Sequence, residues 1–279
     1  MKLGSFNSTT NHYECLRSLT PRELEKHVGF LPSLTEARDR LALFRMLDRN
    51  YAEWRSYLDR LLSATFREEV DVSEELNRLL LNYLTFAYSI QEHFSVSLRQ
   101  RFKKEPKKLR EYSDFIDRVC ARSWAFAFVL DYRGYVQHVD LGIDRNHRTA
   151  DGKSVRVEVV AQAETLLKRS RRWARSQLTA ERGEIDLIEI LKEFHFHMLK
   201  SYATFVVKFF FPELLPASEF YAGLTKEVRM RDPIARMIFF TKEPKSVKDE
   251  TGKVSISMSA IFPPNDLLEE FGVKLPRRL

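Results

Sequence analysis

A chain of 279 residues is long enough for one large domain or two smaller ones, and 44% apolar with 30% charged residues excludes a disordered chain. Nine glycines and ten prolines, sparse between about residues 34 and 130, exclude a many-turned β fold there and favour long helices. The net charge is +7, and 29 of the 46 basic residues are arginine. A planar guanidinium binds two phosphate oxygens at once, so this excess leans toward nucleic acid, although a merely solvated basic surface has the same composition.

Two cysteines, Cys15 and Cys120, stand without a C-x-x-C spacing, which excludes a disulfide framework and a zinc ribbon and fits a reducing compartment. The first fifteen residues lack the apolar stretch of a signal peptide. The most hydrophobic run, Met198 to Pro216, is interrupted by Lys200, Lys208, Pro212 and Glu213 and reads as a buried helix, not a membrane span. These features predict a cytoplasmic protein with no membrane partner, and with no P-loop and few glycines to cradle a nucleotide no cofactor is expected.

Residues 1–33 are polar and mixed and read as an irregular lead-in. A helix is predicted from Ser33 or Thr35, with Ser33 and Glu36 as a capping box. Leu41, Phe44, Leu47, Tyr51, Trp54 and Leu58 then recur at steps of three and four. A second helix starts at DVSEEL with Ser73 as cap and carries Leu76, Leu79, Tyr83, Phe86, Ile90 and Phe94. A basic connector containing Pro106 leads to a third, from about Lys107 to Leu130, with Tyr112, Phe115, Val119 and Phe126 on its apolar face. Short links between long helices imply antiparallel neighbours. Beyond His138, alternating apolar and polar residues around Asp151-Gly152 predict a β-hairpin near 139–160. Helical patterns resume over Ala161–Thr179 and from Ile185 to about Phe211, and the remainder offers two strands, in ARMIFFT and KVSISMSAIF, around a Lys248–Gly252 turn. The expected fold is mainly α: an up-and-down bundle over 34–211 with an inserted β-hairpin, followed by a small α+β tail at 212–279.

An arginine followed by histidine five residues on occurs twice, at Arg22–His27 in RELEKH and at Arg133–His138 in YRGYVQH. The second ends a predicted helix. In that position YRGYVQH resembles the signature of HEPN ribonucleases, which are helical bundles with long leading helices and the motif on a later helix. The resemblance covers roughly residues 34–211. It implies a dimer, no metal, and a composite site in the dimer cleft at which RNA is cleaved by a toxin or defence effector, with a cognate antitoxin as a further partner. Arg133 and His138 would be catalytic, supported by Asp131, Tyr135 and Gln137. Where the family carries a polar residue after its arginine, commonly Asn, this chain has Gly134. On a helix, positions 134 and 138 share a face, so the family's polar residue would stand beside the imidazole. Asp131, seven residues before His138 and nearly in line with it, is a candidate substitute. The departure favours the rival reading of an inactive RNA-binding or adaptor module; a purely structural helical interaction protein is a third.

The chemistry is legible in the residue types. Cleavage beside a 2′-OH needs a base, an acid for the leaving 5′-oxygen, and positive charge on the phosphorane. An imidazole can take or give a proton near neutral pH, and a guanidinium can clamp phosphate bidentately. Five positions on an ideal helix separate Arg133 and His138 by about 140°, so one chain's pair converges poorly and two chains at a two-fold axis could complete the site.

Lys168, Arg169, Arg171, Arg172 and Arg175 surround Trp173 and are a candidate nucleic-acid track, with Trp173 read as one of the buried face alongside Leu166, Leu167 and Leu178. His195 and His197 are two apart, point to different helix faces and so do not form a metal pair; one is expected buried and one exposed.

Overall fold

The computed structural model describes residues 1–10, 12–63, 71–150, 154–240, 247–248 and 254–255. In chain order, β1 (Lys2–Asn7) and β2 (His12–Ser18) precede the helices α1 (Pro21–Leu62), α2 (Val72–Arg101), α3 (Pro106–Arg122) and α4 (Trp124–His138). Then come β3 (Arg145–Ala150), β4 (Val155–Gln162), α5 (Ala163–Arg169), a 3-10 turn at Ala180–Arg182, β5 (Glu184–Asp186) and α6 (Leu187–Phe205). A π-helical turn at Val206–Phe210 leads to α7 (Phe211–Arg231), β6 (Arg236–Phe240), β7 (Val247–Lys248) and β8 (Val254–Ser255). The fold is mainly α, as expected. The chain forms two compact units, one of residues 1–41 with 206–279 and one of 42–205. These units change over near residues 41 and 205, while the sequence predicts boundaries near 33 and 211.

In the first unit, the stretch expected to be irregular forms two strands of an antiparallel sheet ordered β2-β1-β6. The central strand pairs Leu3 with Phe239 and Ser5 with Met237, more than 230 positions away. No local pattern could have announced that pairing. Leu3, Leu34, Leu214, Tyr221, Val228 and Phe239 belong to its buried core.

Helix α1 begins at Pro21, ahead of the expected Ser33. Thr20 is the cap: its Oγ1 accepts from Glu23 N at 3.2 Å, and Glu23 Oε2 accepts from Thr20 N at 2.8 Å. With Pro21 in the first helical position this is a complete capping box. Pro32 lies inside the helix without ending it. Arg17 donates Nε to Glu227 at 2.7 Å and Nη1 to Glu23 at 2.8 Å, joining β2, the start of α1 and α7 through one guanidinium. These bonds hold the Glu23 carboxyl at about 2. His27 is buried against Phe239, with Nδ1 2.9 Å from Tyr221 Oη, and burial lowers its proton affinity.

In the second unit, α2 is capped by Asp71, not Ser73, through Oδ1 accepting from Ser73 N at 2.8 Å. The expected single helix over 107–130 is two, because Ser123 adopts an extended conformation (φ −133°, ψ 110°) and caps α4 by accepting from Phe126 N at 3.1 Å. Its hydroxyl donates to Glu193 at 2.7 Å. Residues Ala125–Val129 are buried without interruption, and α4 packs against α2, α3 and α6. Strands β3 and β4 pair antiparallel, Arg145 opposite Val160, with β5 beside β4; the Asp151-Gly152 turn lies outside the described residues. The helix expected over Ala161–Thr179 stops at Arg169. The strand expected in ARMIFFT is β6; of KVSISMSAIF, Val254–Ser255 pairs with Val247–Lys248, and the turn between them is outside the described residues.

Since Glu23 is held below its ordinary 4.5, its contribution is complete above that pH and is lost as pH falls toward about 2. His27 acts in a higher window: the unfolded chain binds its proton first, so stability declines as pH falls below about 6.5. Thermal unfolding across pH 2–7 should therefore show Glu23→Gln less stable than the parent at neutral pH and less steeply destabilised between pH 4.5 and 2. Parallel curves would refute the assignment.

Candidate functional site

The Arg133–His138 segment occupies the C-terminal half of α4, within the second unit. Tyr132 and Tyr135 are buried, and their rings lie parallel to within 7°. The Tyr132 hydroxyl donates to the Gly142 carbonyl, fixing the chain that leaves the helix. A Cβ at Gly142 would collide with the Tyr132 and Val136 side chains, so this approach requires glycine. Burial raises both phenols above their ordinary range and keeps them protonated. Tyr135 also packs on Trp173, at 5.9 Å between ring centroids, which makes it a structural neighbour of the motif.

Arg133 and His138 do not meet within one chain. The Arg133 guanidinium lies over the Tyr88 ring, 3.5 Å from its centroid, and its Nε is enclosed without a hydrogen-bond partner. His138 is exposed at the end of α4. It forms one wall of a groove of about 600 Å³ with Gln137 and Val136 of α4, Arg49 and Asn50 of α1, and Asn82 and Phe86 of α2. Gln137 Nε2 donates to Thr85 Oγ1 at 3.2 Å, which fixes the wall between α4 and α2. Arg49 is exposed and has no partner among the described residues.

Asp131 serves a different purpose from the expected support of His138. Its Oδ2 accepts from Arg175 N at 3.0 Å, Ser176 N at 2.8 Å and Ser176 Oγ at 2.9 Å. The segment after α5 is thereby latched along α4. Trp173 is buried in the latch, 5.8 Å from Phe128 and within 9° of parallel, with Nε1 donating to Ser170 O at 3.0 Å. Leu166 and Leu178 are buried with it and Leu167 half-buried, as the apolar pattern predicted. Trp173 is therefore not free to stack a base. Arg169 pairs with Asp140, two residues beyond His138, and Arg175 lies 4.0 Å from Asp117 and 3.8 Å from Cys120 Sγ. Lys168, Arg171 and Arg172 are exposed, with no ion pair among the described residues.

His195, His197 and His27 have structural surroundings, whereas His12, His93 and His147 are exposed. His195 is buried, stacked on Tyr51 at 3.9 Å, with Nε2 3.3 Å from the Asp48 carboxylate and Nδ1 3.1 Å from Tyr83 Oη. A carboxylate only accepts, so Nε2 carries the hydrogen and Nδ1 accepts from the tyrosine. Burial lowers its proton affinity, and Asp48 only partly restores it. His197 is half-buried, 3.9 Å from Glu193. In the second Arg–His pair, Arg22 is exposed and His27 buried, so the two side chains diverge.

Arg49, Asn50 and Asn82 are the groove residues that sequence reasoning missed. They lie on helices far from the motif in sequence, and no spacing links them to it. No protein family, curated protein or solved structure matches the chain. No helix among the described residues is long and apolar enough to cross a membrane.

The Asp131 latch is open to a direct check. Asp131→Ala removes the acceptor of three hydrogen bonds and should cost about 2 kcal/mol of stability. Trypsin should then cut faster at Arg171, Arg172 and Arg175 under native conditions. Unchanged cleavage rates would show that Asp131 does not hold this segment.

Proposed function

We propose that this chain is a HEPN-like endoribonuclease that cleaves RNA without a metal ion, as a homodimer, with His138 moving protons at the scissile phosphodiester. The observation that carries this reading is the setting of His138, exposed at the end of α4 and open to a groove that also holds the amides of Asn50, Asn82 and Gln137 and an arginine, Arg49, with no partner among the described residues. In the proposed reaction an imidazole accepts the 2′-OH proton and the 2′-oxygen attacks phosphorus. The P–O5′ bond breaks, and an imidazolium returns a proton to the leaving oxygen. The products are a 2′,3′-cyclic phosphate and a 5′-hydroxyl. Arg133 would reach the phosphate from across the two-fold axis, after leaving Tyr88. The exposed Lys168, Arg171 and Arg172 would carry the RNA backbone toward the end of α4, because the Arg169–Asp140 pair brings this segment to His138. A toxin or defence role with an antitoxin partner, acting in the cytoplasm, belongs to the same proposal.

A second reading, an RNA-binding module without cleavage, is favoured by two observations: Arg133 is engaged by Tyr88, and Gly134 supplies no partner for the imidazole. Nothing lies within 4 Å of where a Cβ at Gly134 would stand, so a larger side chain fits there.

Mixed-sequence RNA incubated in EDTA tests both. On the nuclease reading the wild type leaves 2′,3′-cyclic ends, His138→Ala loses about a hundredfold or more in rate, and Arg133→Ala loses at least about tenfold. An inert wild type, or a His138→Ala variant that cuts equally well, removes the nuclease reading; salt-sensitive RNA binding without cleavage would then support the second. If a polar neighbour orients His138, Gly134→Asn should raise the cleavage rate several-fold while the protein stays folded. No gain would show that orientation at that position does not limit the reaction.

A further inference from the structure

We propose that the groove between α1, α2 and α4 is a nucleotide site of a single chain, in which Arg49 takes a phosphate while Phe86, Asn50 and Asn82 hold the attached base and sugar beside His138. This deepens the RNA-directed reading and rests on it for the identity of the ligand.

Charge comes first. No carboxylate lines the groove, and Arg49 is its one fixed cation among the described residues, with no partner to compete for it. A second groove of about 500 Å³ offers the contrast, since it holds Glu92 and Asp117 together with Arg99 and Arg175. Its Arg175 lies 4.0 Å from Asp117, and Glu92 adds a second acid, so an added phosphate would meet repulsion there. At Arg49 it would meet a guanidinium whose fork is unoccupied.

Shape and hydrogen-bonding capacity agree with the charge. A volume of about 600 Å³ lies in the range of small-ligand sites. Phe86 lines the groove from α2 with an aromatic ring, the kind of side chain on which unstacked bases commonly rest. Asn50 and Asn82 each present an amide that both donates and accepts, as base edges and ribose hydroxyls require. Gln137, bonded to Thr85, braces the wall that carries His138.

The arrangement separates two arginine roles. Arg133 does not line the groove and is held over Tyr88, whereas Arg49 shares the groove with His138. Arg49 therefore holds substrate within one chain, and Arg133 is left for the reacting phosphate in the dimer.

The test uses a 5′-phosphorylated dinucleotide, pUpA with 2′-deoxyribose on its uridine, which carries a phosphate for Arg49 besides the one at the reacting position, lacks the attacking hydroxyl and cannot be cut by the proposed chemistry. Binding to the full-length protein is followed through the His138 imidazole resonances. The expected result is saturable binding that Arg49→Ala weakens at least fivefold and Asn82→Ala at least twofold. Arg49 is exposed, so its variant should keep the fold, checked by circular dichroism. No binding by wild type, or Arg49→Ala within twofold of it, overturns the site. Because the probe is uncleavable, the two proposals fail separately. A protein that binds it through Arg49 but never cuts RNA keeps this site and loses the nuclease reading. One that cuts RNA yet ignores the loss of Arg49 does the reverse.

Discussion

The second unit is organised by the need to bury α4 on every side. Ala125, Phe126, Ala127, Phe128 and Val129 are consecutive on a helix, so they point around its whole circumference, and all five are buried. Such a helix has no solvent stripe and is stable only when wrapped, which α2, α3 and α6 accomplish. One consequence bears on the proposed site. Burial runs on through Tyr132 and Tyr135, and His138 is the first residue of this helix to be exposed. The imidazole is thus delivered to the surface by a rigid buried element, the kind of support that keeps a reactive side chain in position.

Polar contacts then fix that helix lengthwise. Ser123 caps its start and binds Glu193 of α6, while Tyr132 holds the carbonyl of Gly142 beyond its end. Asp131 gathers the backbone of Arg175 and Ser176, so a basic segment without regular structure follows the helix along a defined course. The carboxylate that sequence spacing offered as a partner for His138 is occupied in this architectural task. Its place beside the imidazole is left to the residues of the groove.

Histidine and arginine mean different things in different surroundings here. His27 and His195 are packed among aromatic rings, each bonded to a tyrosine hydroxyl, and burial disfavours their charged forms. They stabilise cores as neutral polar groups. Arg17 is consumed by two carboxylates and Arg175 lies among Asp117, Cys120 and the Asp131 latch, whereas Arg49, Arg171 and Arg172 are unengaged among the described residues. A count of basic residues treats these alike, and only their partners separate structural arginines from those available to an anion.

The sequence by itself determined the mainly helical class, the apolar faces of α1 and α2, the antiparallel strand pair after His138, the burial of Trp173 and the strand at ARMIFFT. Each of these is written in residues close together in the chain, where periodicity and turn chemistry act. The capping box at Thr20-Pro21-Arg22-Glu23 is equally legible in local residues, and Ser33 lies inside the helix it starts. Tertiary structure alone decided the rest. The pairing of β1 with β6 joins strands more than 230 positions apart, and Glu193 of α6 meets the Ser123 hydroxyl only in the folded chain. The company His138 keeps was decided in the same way, because Arg49 and Asn82 line its groove only once α1, α2 and α4 are assembled. Local patterns record which face of a helix is buried; they do not record which other helix will cover it, and a site assembled from three helices exists only once that is settled.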